Sequence, residues 1–324
     1  MIDEDFEARV GPHRRELLVH CYRMLGSVHE AEDLVQETML RAWRARERYD
    51  AGLASVRTWL YKIATNACLS ALQGRARRPL PSGLGGPSDD TDAPLAPALD
   101  VPWLQPFPDA LLGDPAALAI RRGTLRLALI AAMQVLPPKQ RAVLILRDVL
   151  EFPAAEVAAL LETTPAAVNS ALQRARTGLE GASPAEDDVA EPGDDAVDAL
   201  VDRYIHSFEA ADVAGLVALL TEDAVLEMPP VPLWYLGRDS YGRFMDRVFA
   251  MNGPDWRMVR TAANAQPAVA AYNRGDDGAY LLHTLQVFTV TPQGVARNVV
   301  FQDARVFAAF DLPPVLDAGG GASG

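Results

Sequence analysis

Cysteine is scarce in this chain: Cys21 and Cys68 are the only two in 324 residues, and neither stands in a C-x-x-C pair or beside clustered histidines. That spacing offers neither a disulfide framework nor a zinc site, and it fits a reducing compartment. Long apolar runs are missing as well. No stretch reaches the roughly 18 uninterrupted apolar residues of a membrane span, and the opening MIDEDFEARV is acidic with no apolar h-region. The expectation is a cytoplasmic protein without a membrane partner. No G-x-x-x-x-G-K loop occurs, so nucleotide-driven work is not indicated, and no cofactor or metal is expected.

An excess of basic charge is also absent: the formal net charge is -13, which on average speaks against a nucleic-acid binder, since phosphate recognition rests on Lys and Arg. The distribution along the chain changes that reading. Residues 1–78 carry +2 and residues 116–181 carry +3, whereas 79–115 carry -6, 182–193 carry -4 and 194–324 carry -8. Two mildly basic blocks thus lie among acidic ones. With 49% hydrophobic residues, the chain is long and apolar enough for two or three domains with real cores.

Residues 79–115 are dense in Pro, Gly and Asp, which forbids a long helix or sheet and marks a linker. Within it, Val101 to Phe107 carries two large aromatics, Trp103 and Phe107, which suit docking on a neighbour. A shorter polar, Pro-containing break spans 182–193. The expected domains are therefore 5–78, 116–181 and 194–312, followed by a disordered tail, 313–324. Apolar residues in the first block recur at helical spacing, as in Leu17, Leu18, Cys21, Met24 and Leu25, and again in Trp59, Leu60, Ile63, Ala64 and Leu69. The second block repeats the habit. After residue 194, two helices precede the alternating segments Ala224–Met228, Ala268–Tyr272, Leu281–Val290 and Val295–Phe301, which read as strands. The fold class is thus two all-α domains followed by an α+β domain.

In the second block a short helix, Pro153 to Leu161, is followed by the turn Glu-Thr-Thr and a second helix from Pro165 to Arg176. Pro165 suits a first turn and Thr164 is placed to cap it. In this helix-turn-helix, Val168 and Leu172 turn inward. Asn169, Ser170, Gln173, Arg174 and Arg176 are left to read base edges or grip phosphate. An ordinary αα-hairpin with solvated polar residues has the same local pattern.

The first block narrows the choice. Ala31-Glu-Asp-Leu-Val-Gln-Glu-Thr-Met-Leu-Arg-Ala-Trp43 precedes Val56-Arg-Thr-Trp-Leu-Tyr-Lys-Ile-Ala-Thr-Asn66. These segments resemble the two hallmark helices of domain two in RNA polymerase sigma factors of the extracytoplasmic-function (ECF) type. Leu136-Pro-Pro-Lys-Gln-Arg-Ala-Val-Leu144 with the helix-turn-helix resembles sigma domain four. The resemblance covers about residues 5–180, with the linker standing where ECF factors omit domain three. It implies docking on core RNA polymerase through Asp33, Gln36 and Glu37. It also implies melting of promoter DNA by Tyr61, Lys62 and Asn66, and reading of the minus-35 element by Thr164 and the outer face of the following helix. Stacking on unpaired bases with phosphate neutralisation is the physical logic of such melting. Trp43 and Trp59 read as core aromatics. Arg75, Arg77 and Arg78 are expected to end the melting helix, where phosphate contact is favoured over simple compensation of the helix dipole. Many family members carry an arginine before the serine of the recognition helix; here the pair is Asn169-Ser170, which leaves the minus-35 sequence open.

Residues 194 to about 312 resemble the SnoaL-like, polyketide-cyclase-like domains of the α+β cone fold. The resemblance rests on Tyr204-Ile-His-Ser-Phe-Glu-Ala-Ala-Asp212, on Leu219-Leu-Thr-Glu-Asp-Ala224 and on the closing strands. It implies a pocket, with Trp234, Tyr235, Trp256, His283, Gln286, Asn298 and Asp303 as lining candidates, and regulation in cis. His283 with Asp303 has the chemistry of an acid–base pair, although packing is the simpler role for most of these residues. The function implied is a non-enzymatic sigma factor with core RNA polymerase and promoter DNA as partners, and an unidentified small ligand or a separate anti-sigma protein as further ones. A cyclase- or isomerase-like enzyme and a ligand-responsive repressor are the alternatives.

Overall fold

The computed structural model describes residues 4–113, 123–180 and 194–316. The chain divides into two compact units where the sequence suggests three domains: Met1–Arg78 joins Leu104–Asp187, and Pro79–Trp103 joins Asp188–Gly324. The expected break at 182–193 lies outside the described residues, as does the end of the tail from 317 onward. No described helix is long and apolar enough to cross a membrane.

The first unit is helical. Helices α1 (Glu4–Val10), α2 (Arg14–Leu25), α3 (Val28–Ala45) and α4 (Val56–Ala71) form its first block. Helix α2 ends because Gly26 turns left-handed at φ 68°, its N–H bonding to Tyr22 O at 2.7 Å. A side chain there would strain the backbone and meet Leu104 Cδ1 at 2.7 Å. Ser27 then caps α3 by accepting the Glu30 N–H, and Ser55 caps α4 by accepting that of Thr58. Helices α5 (Leu127–Val135), α6 (Pro138–Leu144), α7 (Ala154–Leu160) and α8 (Pro165–Glu180) make the second block.

The second unit is α+β, as the alternation of its strands predicts. Helices α9 (Asp194–Glu209) and α10 (Val213–Ala218) lead into β1 (Leu220–Glu227) and β2 (Trp234–Leu236). Helix α11 (Arg238–Asn252) follows, then β3 (Trp256–Ala263), β4 (Gln266–Arg274), β5 (Tyr280–Thr291) and β6 (Gly294–Phe301). Helix α12 (Ala304–Ala309) and β7 (Val315–Leu316) close the described chain. The sheet order is β2-β1-β6-β5-β4-β3, with β7 paired to β5. Strand β1 runs parallel to β6 and the other pairs are antiparallel. Its core joins Tyr204 and Phe208 of α9, Tyr241, Phe244 and Met245 of α11, and Phe288 of β5. The pairing of Val315 and Leu316 with β5 corrects the expectation that the tail is disordered from residue 313.

The linker is not a solvated spacer. Residues 79–103 lie along the α+β unit as a strap. Ser82 N donates to Glu227 Oε1 (2.8 Å), Ser88 N to Trp234 O (2.8 Å) and Ala98 N to Pro230 O (2.9 Å). Arg247 Nη1 donates to Thr91 O and Ala93 O at 2.7 and 2.8 Å. The aromatic stretch docks as its composition suggests: Leu104 and Phe107 are fully buried in the helical unit, where Phe107 packs on Tyr22.

His20 sits in the helical core with Nε2 2.9 Å from Thr65 Oγ1. Burial, with the charges of Arg23 and Arg57, lowers its pKa to about 3, whereas the unfolded imidazole titrates near its ordinary value of about 6.5. Below pH ~6.5 the unfolded chain therefore binds the extra proton, and the stability contributed by neutral His20 drains away as pH falls toward the folded value. Between about pH 7 and about pH 5.5 the helical unit is expected to lose roughly 1 kcal/mol that a His20→Gln variant retains. Urea titrations of both proteins by helical circular dichroism check this.

Candidate functional site

Three surfaces of the helical unit carry the residues singled out from the sequence. On α3, Ala31, Val35, Thr38, Met39 and Ala42 face inward. Asp33 and Gln36 are consequently exposed along its outer edge, while Glu37 is half-buried and paired with Arg41 at 2.6 Å. Two of the three expected docking residues thus present free polar tips, and the third is engaged with its own helix.

Helix α4 corrects the expected inward stripe. Leu60, Tyr61, Ala64, Thr65, Ala67 and Cys68 are buried, whereas Trp59, Ile63 and Leu69 are only half-buried. Tyr61, expected on the DNA side, is fully buried. Its hydroxyl donates to Glu16 Oε2 at 3.2 Å and its ring meets His20 and Phe152 edge-on at 5.1 and 5.2 Å. The Arg57 guanidinium stands 4.9 Å from the Tyr61 and Phe152 ring centres. Lys62 pairs with Glu162 at 3.2 Å, and Asn66 is half-buried. Phe152 and Glu162 belong to the second block, so the face read as a melting surface is covered by the helix-turn-helix block of the same unit.

The cover is held by a buried cation. Arg141, 3% exposed, donates from Nη1 to Met24 O and to Gln134 Oε1 (2.7 Å), and from Nη2 to Gln134 O (3.0 Å) and Leu136 O (3.2 Å). Burial lowers its pKa to about 10, which leaves it charged at neutral pH. Met24 O lies in the last turn of α2, where a carbonyl lacks a helical partner and the dipole favours a cation.

The basic run is also placed differently from expectation. Helix α4 stops at Ala71 and Gly74 turns left-handed, so Arg75, Arg77 and Arg78 lie beyond the helix and do not compensate its dipole. Arg75 and Arg78 share Glu30 as ion partner at 2.9 and 2.8 Å, and Arg77 is exposed. Helices α7 and α8 form the helix-turn-helix. Thr164 caps α8 by accepting the Ala167 N–H, Val168, Leu172 and Ala175 are buried, and Asn169, Ser170, Gln173 and Arg174 are exposed. Arg176 is exposed as well, but its guanidinium is held by Asp148 at 2.8 Å.

A cavity of about 110 Å³ opens in the α+β unit. Four of the seven expected lining residues reach it: Trp256, His283, Gln286 and Asn298. Gln286 and Asn298 share a face because Phe288 and Asn298 pair directly and Gln286 alternates with Phe288. His283 arrives by a register shift: Ala271 pairs with Thr284 but Tyr272 with Leu282, so His283 is the extra residue of a bulge, and both it and Thr284 line the cavity. Burial lowers the His283 pKa, keeping the ring neutral.

The other three expected residues do not line it. Trp234 donates its indole N–H to Gly85 O of the strap at 2.9 Å, and the Tyr235 hydroxyl donates to Asp90 O at 3.4 Å. Asp303 caps α12, accepting from Arg305 N at 2.9 Å and pairing with the Arg305 guanidinium, so it is no acid–base partner for His283. Sequence reasoning missed Tyr204, Tyr241 and Leu95 of the strap, all of which line the cavity. The stripe Tyr241, Phe244, Met245, Val248 on α11 was a readable signal; for Leu95 in a Pro-rich segment there was none.

Three stretches of the chain match known families. Residues 10–78 match the family described as Sigma-70 region 2, residues 126–179 that described as Sigma-70, region 4, and residues 201–301 the SnoaL-like domain. The chain is similar to the ECF RNA polymerase sigma factor SigG of Mycobacterium tuberculosis, 48% identical over 316 residues, which cover 96% of this chain and 85% of the relative. It is 28% identical over 306 residues to SigJ of the same organism, covering 92% and 88%. The crystal structure of SigJ matches with a TM-score of 0.63 at 24% identity, covering 96% of this chain and 99% of that one, and shows the same fold.

Replacing Arg141 with Met strands four acceptors in the interior, and the helical unit is expected to lose about 3 kcal/mol. Denaturant titration followed by helical circular dichroism checks this.

Proposed function

The chain belongs to the extracytoplasmic-function RNA polymerase sigma factors, and from that membership we propose that it recruits core RNA polymerase to promoter DNA in the cytoplasm. In this reading, polymerase docks on the α3 edge at Asp33, Gln36 and Glu37. The exposed Asn169, Ser170, Gln173 and Arg174 of α8 enter the major groove, and Thr164 supports them as the cap. Arg176, tied to Asp148, and Arg75 and Arg78, tied to Glu30, contribute to phosphate attraction alongside Arg77. Tyr61, Lys62 and Asn66 act on the melted strand only after Phe152 and Glu162 move away. The free, buried Cys21 and Cys68 fit a reducing compartment. The observation that carries the reading is that α8 sits in a capped helix-turn-helix with its polar face outward, in the same compact unit as the exposed α3 edge.

The SnoaL-like domain acts in cis in this proposal. What supports it is the strap: the segment joining the two DNA-reading blocks is hydrogen-bonded along the α+β unit. Turnover of a substrate is not part of the reading, since Asp303 is committed to Arg305.

Multi-round transcription in vitro, with core RNA polymerase, the full chain and a pool of genomic promoter fragments, tests the whole. Start sites that depend on the chain are expected; none would overturn the assignment. Asp33→Ala with Gln36→Ala is expected to weaken polymerase binding about tenfold without changing helical content. Arg247→Ala, which frees the strap at Thr91 and Ala93, is expected to change transcript yield at least about twofold in the same assay. An unchanged yield would remove the strap from the regulatory account.

A further inference from the structure

Two chemically distinct sets of side chains line the cavity of the α+β unit. One is an adaptable apolar wall, including Met228, Met245, Met251 and Leu95; thioether side chains repack readily around an occupant. The other is a ring of neutral polar groups. Tyr204 Oη donates to Gln286 Oε1 at 3.0 Å and lies 2.8 Å from Tyr241 Oη. Asn298 Nδ2 lies 2.7 Å from Tyr241 Oη, 3.2 Å from Tyr204 Oη and 3.0 Å from Gln286 Oε1. Asn298 itself is 1% exposed, and its Oδ1, like Nδ1 of the lining His283, has no hydrogen-bond partner among the described residues. A buried acceptor without a donor is costly in a finished interior, so this ring is incomplete as it stands.

Charge and size narrow the occupant. No Asp, Glu, Lys or Arg is among the described residues that line the cavity. An ionised ligand would lose its hydration with nothing to replace it. A volume of about 110 Å³ approaches the roughly 150 Å³ of an apolar cavity that admits benzene. The missing partner is a hydrogen-bond donor, and a ligand hydroxyl supplies one to Asn298.

We propose that this cavity binds a compact, uncharged alcohol or phenol, hydroxyl inward at Asn298, and that the strap senses its occupancy through Leu95. Leu95 is the strap's contribution to the wall. It stands between Ala93, whose carbonyl Arg247 holds at 2.8 Å, and Ala98, whose N–H donates to Pro230 O at 2.9 Å. An occupant packed against the apolar wall presses on a side chain whose backbone is pinned on both sides, so a filled cavity tightens the strap against the sheet. The sensing half rests on the reading of this domain as a regulator in cis; the binding half does not.

The test uses the full chain with phenol, cyclohexanol, toluene and benzoate as probes, binding read by calorimetry and strap closure by amide hydrogen exchange at Ser88 and Ala98. Saturable binding of phenol and cyclohexanol is expected, with toluene about tenfold weaker for want of the hydrogen bond and benzoate without binding. Asn298→Leu, of similar volume, is expected to bind toluene still and to lose the preference for phenol. Phenol is expected to slow exchange at Ser88 and Ala98 in the wild type and much less in Leu95→Ala.

Equal affinity for toluene and phenol, binding of benzoate, or no saturable binding by a folded chain would overturn the ligand assignment. Binding with unchanged exchange would overturn the sensing. Should Arg247→Ala alter transcription while no probe binds, the site fails and regulation in cis stands. Should phenol bind and close the strap while Arg247→Ala leaves transcription unchanged, the site stands and regulation in cis fails.

Discussion

The helical unit depends on a guanidinium taken out of water. The hydrogen bonds of Arg141 go to neutral oxygens of Met24, Gln134 and Leu136. Such an arrangement is sensitive to loss of any member, because each carbonyl left behind is a buried acceptor. It is also geometrically demanding, since the planar fork fits only when the end of α2 and the turn before α6 are both in place. The second block is thereby seated where Phe152 covers Tyr61 and Glu162 meets Lys62. A single buried side chain of α6 thus governs what α4 can touch.

Much of this was legible in the sequence, for identifiable reasons. The helix-turn-helix followed from a capping threonine, a first-turn proline and two inward apolar residues, all local signals, and α8 keeps that design. The strands of the α+β unit followed from alternation. What was not legible depended on contacts between segments distant along the chain. Tyr61 is an amphipathic residue on an amphipathic helix, and nothing within that helix reports that Phe152, some ninety residues on, will close over it. The end of α4 was misplaced because the left-handed Gly74 outweighs the helical habit of the arginines after it. Trp234 and Tyr235 have the chemistry of pocket residues but spend their polar atoms on strap carbonyls. The strap itself was invisible because a Pro-, Gly- and Asp-rich segment looks the same whether it is solvated or laid along a sheet.

The α+β unit shows the opposite balance from the helical one. Its cavity is lined by neutral groups, and two lining atoms, Asn298 Oδ1 and His283 Nδ1, lack a hydrogen-bond partner among the described residues, whereas the strap is pinned to the unit at Ser82, Ser88, Thr91, Ala93 and Ala98. Rigid backbone beside adaptable methionines places any give in the apolar wall and not in the polar ring. The bulge at His283 serves the same end: two consecutive residues, His283 and Thr284, face the cavity without a break in the sheet.

Residues 79–103 also act as a length of string. Fully extended they reach about 85 Å, ample slack between the two helical blocks that they join. Tied down along the sheet, the same residues have their end-to-end distance set by the fold beneath them. A reach that composition alone would leave at tens of ångströms is thus fixed by a domain that contains neither α3 nor α8.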